Sequence, residues 1–478
     1  MIKLSHAAQA AAPDYAARSL AWRAELLRTM ASGLESSATE LVAVAHEETA
    51  LGPARLENEL QRTTYQLRFF ADVVLDGSFL AVSIDHAGES PMGPLPDLRR
   101  MRVPLGPVGV FGSSNFPFAF SVPGGDTASA LAAGCPVLIK AHPAHPATSE
   151  ASFRILDRAA RLLNAPEGLL GIVFGFQAGE ALVDAPSIAG VGFTGSFAAG
   201  TALWRRANAR PVPIPFYGEL GAVNPLVVTY AAAADRAQEI GKGIAGSVAL
   251  GVGQFCTKPG LIFAPLNEDG DALVTELSEA LTQLPGMTML TSEIAERFRA
   301  GTRALENLSG GCQLVVGERL SEARVRAELF EVPASLFADS RESTVRDEYF
   351  GPLAIIVRYR DQMELRRALG AATPALTFSV FLGENDTDAD WLVNLASTKA
   401  GRVIANAYPT GVGVSWSMQH GGPWPSTTSS LATSVGASAI ERWLRPVTYQ
   451  NVSDELLPEA LRDANPLHIP QRVDGAYL

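Results

Sequence analysis

Apolar side chains recur at helical spacing in the first part of the chain. Leu20, Leu27, Met30 and Leu34 form one stripe, and Leu56, Leu60, Thr63, Leu67 and Phe70 form another. The N-terminal region therefore opens with amphipathic helices, each needing a partner for its apolar face. Between 85 and 100 the composition shifts to Pro, Gly and Asp, which predicts a loop or short excursion away from the body of the domain. From Pro107 the period changes, and short apolar runs alternate with helical stretches. The pattern predicts a strand at 108–111, a helix over 126–133 closed by Gly134 and Pro136, and a strand at 137–139. A helix over 149–163, a strand at 171–174, a short helix at 179–183 and a strand at 188–193 follow. A second series starts near Asn224, with a strand at 225–229, a helix over 231–250 and a strand at 261–264. This alternation predicts an α/β protein with two doubly wound parallel-sheet lobes that meet near Glu219, with ligands at the carboxyl ends of the strands. The run from Gly421 to Ser430 predicts an ordered loop, because Pro and Trp interleave with its polar residues.

A chain of 478 residues is too long for one core and fits two or three domains. Hydrophobic residues make up 47% and charged residues 18%, the balance of a packed globular protein. The net charge of -12 and the dispersed arginines argue against nucleic acid as a partner, since phosphate binding needs a basic face. Cys135, Cys256 and Cys312 are too scattered for a disulfide framework or a metal knuckle and fit a reducing compartment. The N-terminal segment has no continuous apolar core, and no later stretch approaches the roughly eighteen apolar residues of a membrane span. The expectation is a cytoplasmic protein with no membrane partner.

The candidate chemistry centres on Cys256 in Gly253-Gln254-Phe255-Cys256-Thr257. It is accompanied by a distant carboxylate, Glu219 in Gly-Glu-Leu-Gly, and by Asn115 in Ser-Asn-Phe-Pro. A thiol, a base and an amide donor are the parts needed for covalent catalysis at a carbonyl carbon. A cysteine alone is more often a small buried hydrophobe. The segment Val191-Gly192-Phe193-Thr194-Gly195-Ser196 ends a predicted strand and opens a helix, so backbone N–H groups and the helix dipole face an anion there. A pyrophosphate fits, although the full Gly-x-Gly-x-x-Gly fingerprint is not present and the same turn joins many strands to helices. Lys140 follows a strand, where an ammonium can hold ribose hydroxyls or a phosphate; by itself it reads as a solvated charge. His142, His145 and His420 lack metal-ligand spacing with a carboxylate, so no metal is expected.

Over nearly its whole length the chain resembles the aldehyde dehydrogenase superfamily. The likeness rests on Ser114-Asn115-Phe116-Pro117, Lys140-Ala141-His142-Pro143, Gly192-Phe193-Thr194-Gly195-Ser196, Gly218-Glu219-Leu220-Gly221, Gly253-Gln254-Phe255-Cys256 and Glu348-Tyr349-Phe350-Gly351-Pro352. Within that superfamily, the segment from Gly124 to Pro136, Pro409-Thr410-Gly411-Val412 and His420-Gly421-Gly422-Pro423 look like the 2-oxoglutarate semialdehyde dehydrogenases and their fatty aldehyde relatives. The resemblance implies that Cys256 attacks an aldehyde carbon and that Asn115 and the Cys256 N–H hold the oxyanion. NADP or NAD would take the hydride, and Glu219 would activate the water that releases the acid. This carboxylate separates hydrolytic members from relatives that pass the acyl group to coenzyme A.

For the cofactor, the resemblance places Lys140 and His142 at the adenosine end, Gly192, Gly195 and Ser196 at the pyrophosphate, and Glu348 and Phe350 at the nicotinamide ribose and ring. Pro143 stands where many NAD-preferring members carry a glutamate, so NADP is expected to be accepted at least as well as NAD. Arg68 is the candidate to pair with a substrate carboxylate, with Phe120 and Trp416 as apolar walls. An Arg covering the helix surface or pairing with Glu59, and aromatics that belong to the core, are the plainer readings.

The implied fold has a cofactor-binding domain from 1–84 and 106–218, a catalytic domain at 219–435, and an oligomerisation element from 85–105 and 436–478. Edge pairing between copies would give a homodimer or homotetramer. The implied substrate is 2-oxoglutarate semialdehyde. The alternatives are longer apolar aldehydes, which would need a greasy tunnel in place of Arg68, and a catalytically silent binding protein of the same fold. Ser114 replaces a tryptophan of many members, and Ser415 and Trp416 occupy a loop that often holds Cys or His, so substrate preference is where this chain can depart from the pattern.

Overall fold

The computed structural model describes residues 1–318, 320–339, 341 and 343–477; Leu478, at the end of the C-terminal segment, lies outside them. The chain opens with helices α1 (Ile2–Ala17), α2 (Leu20–Ser36), α3 (Ala38–Thr49) and α4 (Pro53–Asp76). Ser19 starts α2 by accepting the Trp22 N–H, Pro53 supplies a fixed φ at the start of α4, and Gly77 in the left-handed region ends α4. The two apolar stripes read from sequence lie on α2 and α4, which pack on each other and enter one core.

Helices α5 (Gly125–Ala133), α6 (Pro146–Leu162), α7 (Phe176–Asp184) and α8 (Phe197–Asn208) alternate with a five-stranded sheet. Its order is Leu170–Val173, Val137–Lys140, Val108–Phe111, Gly190–Thr194 and Phe216–Glu219, with every pair parallel. The first strand in sequence, Val108–Phe111, is central: the next strand lies on one side and Gly190–Thr194 on the other. That reversal opens a crevice at the carboxyl ends, the usual ligand site of such sheets. Val108–Phe111 and Val137–Lys140 are buried throughout, so they read as continuous apolar runs rather than alternating ones.

From Glu219 the chain crosses directly to Asn224–Val228 in a seven-stranded sheet. There the order is Cys312–Val315, Glu328–Pro333, Leu353–Tyr359, Pro259–Pro265, Asn224–Val228, Ala375–Phe381 and Ala400–Ala405, parallel except for the antiparallel edge strand Cys312–Val315. Helix α9 (Tyr230–Ala249) covers one face. The carboxyl edge of the first sheet therefore faces the segments that lead into the second, and the site lies between them.

The reading of 85–100 as a loop needs correction. Val82–Asp85 and Leu98–Pro104 are strands of a third sheet with Leu444–Gln450, Gln471–Val473 and Ala476–Tyr477, and Gly88–Ser90 and Gly93–Leu95 form a hairpin. The hairpin strands are mostly exposed, so they carry none of the buried alternation that marks a strand in sequence. No helix among the described residues is long and apolar enough to cross a membrane.

Candidate active site

The backbone that presents Cys256 is strained. Gly251, Val252 and Gly253 all adopt positive φ, at 59°, 61° and 65°, which is costly for the branched Val252. A Cβ at Gly253 would collide with the Gly351 carbonyl, so only glycine lets the two loops meet. Lys258 ties them together: its buried Nζ donates to the carbonyls of Tyr349, Gly351 and Leu353 at 2.7, 2.9 and 2.7 Å. Asn224 Nδ2 holds the Cys256 and Lys258 carbonyls at 2.7 and 3.0 Å. The Cys256 N–H donates to no described residue.

Asn115 follows the central strand of the first sheet. Its Nδ2 donates to the Gln254 carbonyl at 2.8 Å, which brings it beside the cysteine loop and leaves its second N–H without a described acceptor. Two residues of α4 hold this turn. Arg55 donates to the Asn115 carbonyl at 2.7 Å and lies against the Phe116 and Phe255 rings at 5.1 and 5.3 Å. Buried Glu59 accepts the N–H groups of Phe118 and Ala119 at 2.8 and 3.0 Å.

Burial pushes the Glu59 carboxyl up from 4.5 to about 7, against the pull of Arg55 and the two N–H groups. A raised acid binds its proton more tightly folded than unfolded, so its stabilising contribution is full below 4.5 and is lost as pH rises through about 7. Glu59→Gln keeps an acceptor for both N–H groups and removes the titration. Urea unfolding at pH 5 and pH 8 is expected to find the variant gaining on the parent protein at the higher pH; a parallel response of both proteins contradicts this.

Glu219 ends the last strand of the first sheet. The ordered run predicted from Gly421 lies along it: Leu220 N–H donates to Ser426 O at 2.8 Å, Thr428 N–H to Gly218 O at 3.0 Å, and Thr427 forms a bridge with Glu219. This loop delivers a partner to which the sequence reading gave no role in the chemistry. His420 Nε2 donates to Glu219 Oε2 at 3.0 Å and lies 3.6 Å from Cys256 Sγ, and Ser434 Oγ donates to the same Glu219 oxygen at 3.0 Å. Burial alone raises the Glu219 carboxyl, but the His420 charge and hydrogen bonds from His420, Cys256 and Ser434 outweigh it and hold it below the usual range. Desolvation, and then the Glu219 charge, raise the Cys256 thiol well above its ordinary value. At rest the cluster is therefore a protonated thiol beside a carboxylate, with the sulfur 3.6 Å from His420 Nε2. Glu219 Oε1 is buried without a hydrogen-bond partner.

The structure corrects the spacing argument about metals. One ligand atom each of Glu219, Cys256 and His420 lies within 4.8 Å of the others, so a histidine does meet a carboxylate in space. The direct His420–Glu219 and Cys256–His420 contacts make proton sharing the chemistry of this cluster.

The cofactor candidates divide. Lys140 Nζ has no hydrogen bond or salt bridge among the described residues and lies 5.2 Å from the centre of the Phe176 ring. His142 of the same Lys-Ala-His-Pro motif accepts the Ala144 N–H on Nδ1 and is pushed down to about 3, first by burial and then by His145 and Lys140. His142 is thus a neutral side chain beside the ammonium. Ser196 caps α8 by accepting the Ala199 N–H, and Gly195 and Ser196 stand exposed at that helix start. Glu348 is exposed and presses on Gly221, where a Cβ would collide with its carboxylate, and Phe350 sits in the loop that Lys258 straps. An unpaired ammonium and an exposed helix N-terminus at two strand ends of the first sheet, with the exposed Glu348 in the loop ahead of the strand Leu353–Tyr359, fit a dinucleotide. Gly192 does not belong with them. A Cβ there would meet Asp126 Oδ2 at 2.7 Å and Trp443 at 2.9 Å, so this glycine serves packing of the sheet against α5.

On the substrate side Phe120 reaches the site: its ring is 6.3 Å from His420. Trp416 is half-exposed and packs edge-on against Phe69 of α4 at 5.6 Å. Arg68 is a correction. Its guanidinium pairs with Glu35 of α2 at 2.6 Å and with Ser32 at 3.1 Å, on the outer surface. The arginine of α4 that meets Phe120 is Arg62, at 5.1 Å. On a helix the six-residue offset between them turns the side chain by roughly 120°, which explains why one faces the site and the other faces α2.

Comparison with known proteins agrees with this geometry. The chain is 47% identical over 468 residues to an alpha-ketoglutaric semialdehyde dehydrogenase 2 of Azospirillum brasilense, covering 95% of this chain and 89% of that protein. It is 41% identical over 459 residues to an alpha-ketoglutaric semialdehyde dehydrogenase of Acinetobacter baylyi, covering 95% and 86%. Among solved structures, aldehyde dehydrogenase 21 of Physcomitrella patens shares the fold with a TM-score of 0.80 at 19% identity, covering 95% of this chain and 90% of that one. The model of the aldehyde dehydrogenase family matches residues 2–448. The chain belongs to the aldehyde dehydrogenase family and is an NAD(P)-dependent enzyme that oxidises aldehydes.

Proposed function

We propose that this enzyme oxidises 2-oxoglutarate semialdehyde to 2-oxoglutarate by a hydrolytic, non-acylating route. The observation that carries the route is the hydrogen-bonded cluster of Cys256, His420 and Glu219. The substrate rests on the two relatives named for that semialdehyde.

The Cys256 thiol starts protonated, so attack on the aldehyde carbon must move its proton. Glu219 accepts it, with His420 bonded to the same carboxylate and able to share the charge. As the C–S bond forms, the carbonyl oxygen becomes an alkoxide between the free N–H of the Asn115 amide and the Cys256 N–H. The Arg55 and Glu59 bonds keep the Asn115 turn in place for that contact. When bound, NAD(P) supplies the hydride acceptor. Lys140 and the exposed start of α8 would hold its adenosine and pyrophosphate, and Glu348 and Phe350 its nicotinamide ribose and ring. Glu219 must release the thiol proton to solvent before deacylation; the thioester left on Cys256 is then cleaved by a water that Glu219 deprotonates, and the bare Oε1 gives that water an acceptor. The thiol then recovers a proton and the acid leaves.

Pro143, exposed three residues after Lys140, brings no carboxylate to repel a 2′-phosphate, so NADP is accepted at least as well as NAD. Leu444–Gln450 is an edge strand of the third sheet, and its unpaired backbone side suits pairing with a second copy, as a homodimer or homotetramer in the cytoplasm.

A steady-state panel tests the reading. The kcat/KM for 2-oxoglutarate semialdehyde is expected to exceed that for a medium-chain aldehyde, and with that substrate the NADP value is expected to equal or exceed the NAD value. Preference for the apolar aldehyde contradicts the substrate, and strong preference for NAD contradicts the cofactor argument.

A further inference from the structure

Besides Arg55, which the Asn115 carbonyl engages, two arginines stand near the nucleophile without a salt bridge among the described residues. Arg62 donates through Nε and Nη2 to the Val412 carbonyl at 3.4 and 3.3 Å. Arg402, in the strand Ala400–Ala405, donates through Nη1 to Gly411 O at 2.8 Å and through Nη2 to Pro409 O at 2.6 Å. Both guanidinium groups thus hang on one short loop. That loop is fastened beside the nucleophile, because the Gly411 N–H donates to Thr257 Oγ1 at 3.3 Å. A second path leads to the same place: Arg62 lies 5.1 Å from the Phe120 ring centre, Phe120 is 6.3 Å from the His420 ring, and His420 is 3.6 Å from Cys256 Sγ.

Carbonyl hydrogen bonds explain only part of these side chains. Arg62 Nη1 and Arg402 Nε are buried and have no hydrogen-bond partner. A buried N–H left unpaired is costly, and two of them on cations beside one site call for an absent acceptor. The acid nearest Arg62 does not fill the role. Glu59 acts on Arg62 through its charge, yet the two form no direct bond, and the hydrogen bonds Glu59 accepts come from Phe118 and Ala119. Burial draws both arginines below their ordinary values, and each responds to charge at Cys256, which places both within electrostatic reach of the sulfur.

We propose that Arg62 and Arg402 form a two-sided clamp for the carboxylate and 2-oxo group of the substrate while its aldehyde end meets Cys256. The proposal rests on the substrate reading above and gives it a structural cause. Guanidinium matches carboxylate in charge and planar geometry, and one donor from each side fixes the short chain lengthwise. The same clamp discriminates against apolar aldehydes of equal length, which would leave both cations buried and unpaired.

Arg62→Gln and Arg402→Gln are each expected to lower the ratio of kcat/KM for 2-oxoglutarate semialdehyde over pentanal by about 30-fold or more, chiefly through KM, with partial recovery in Arg62→Lys. Because either glutamine can loosen the loop from Pro409 to Val412, the unsubstituted enzyme supplies a second reading. With pentanal as substrate, 2-oxopentanoate is expected to inhibit competitively and 2-pentanone at the same concentration to inhibit far less. An unchanged ratio in both glutamine variants, or equal inhibition by the acid and the ketone, overturns the clamp. If the unsubstituted enzyme instead prefers pentanal to the semialdehyde, the substrate reading fails, and the comparison of 2-oxopentanoate with 2-pentanone still decides whether the arginines bind a carboxylate.

Discussion

Cys256→Ala is expected to lower kcat by about 10⁴-fold or more, because it removes the sulfur that bonds to the aldehyde carbon in the proposed route. Asn115, the free Cys256-position N–H and the cofactor crevice remain in the variant, so binding alone survives and covalent turnover does not. Tightly coupled groups lose rate together rather than in shares, so adding Glu219→Gln to Cys256→Ala is expected to lower kcat little further. Steady-state kinetics on the single and double variants checks both statements. A Cys256→Ala enzyme within about tenfold of the parent would mean that Cys256 is packing and that another group does the chemistry.

Glu219→Gln separates the two halves of the reaction. The amide keeps the shape of the side chain but cannot deprotonate water, so hydride transfer should proceed once and deacylation should stall. Stopped-flow mixing with aldehyde and NADP is expected to produce a burst of reduced cofactor near one equivalent per site, followed by a steady rate lowered by roughly 10²- to 10³-fold. The resting geometry sharpens this expectation. In the proposed route Glu219 also accepts the thiol proton, so the burst itself should be slower than in the parent. A steady rate equal to that of the parent would remove Glu219 from the role of base.

Much of this architecture is legible in the sequence where local signals are strong. The stripes of α2 and α4, the helix ended by Gly134 and the strand at 108–111 were all within reach, because periodicity and caps are properties of neighbours along the chain. Helix α1 gave a weaker signal: its buried residues are Ser5, Ala8, Ala11 and Tyr15, too small and mixed to make an apolar stripe. The hairpin at 88–95 was missed because exposed strands lack a buried face.

At the site, Cys256, Glu219 and Asn115 were readable from short motifs, whereas the meeting of His420 with Cys256 depends on a loop folded over a distant strand. Ser434 carries no local mark at all. The replacement of Arg68 by Arg62 is a matter of helical phase. Both arginines lie on one helix, and the phase of α4 was already set by the sequence stripe of Leu56, Leu60 and Phe70. Arg402 was beyond reach, since its partners are carbonyls of a loop that only the folded chain brings beside Thr257.

The most direct test of the account is to quench Glu219→Gln after mixing with NADP and 2-oxoglutarate semialdehyde, then locate any adduct by peptide mass spectrometry. The account predicts a mass increase equal to the acyl group on the peptide carrying Cys256, formed in step with the burst and lost on treatment with hydroxylamine. Reduced cofactor appearing without any acyl group on that cysteine would contradict it.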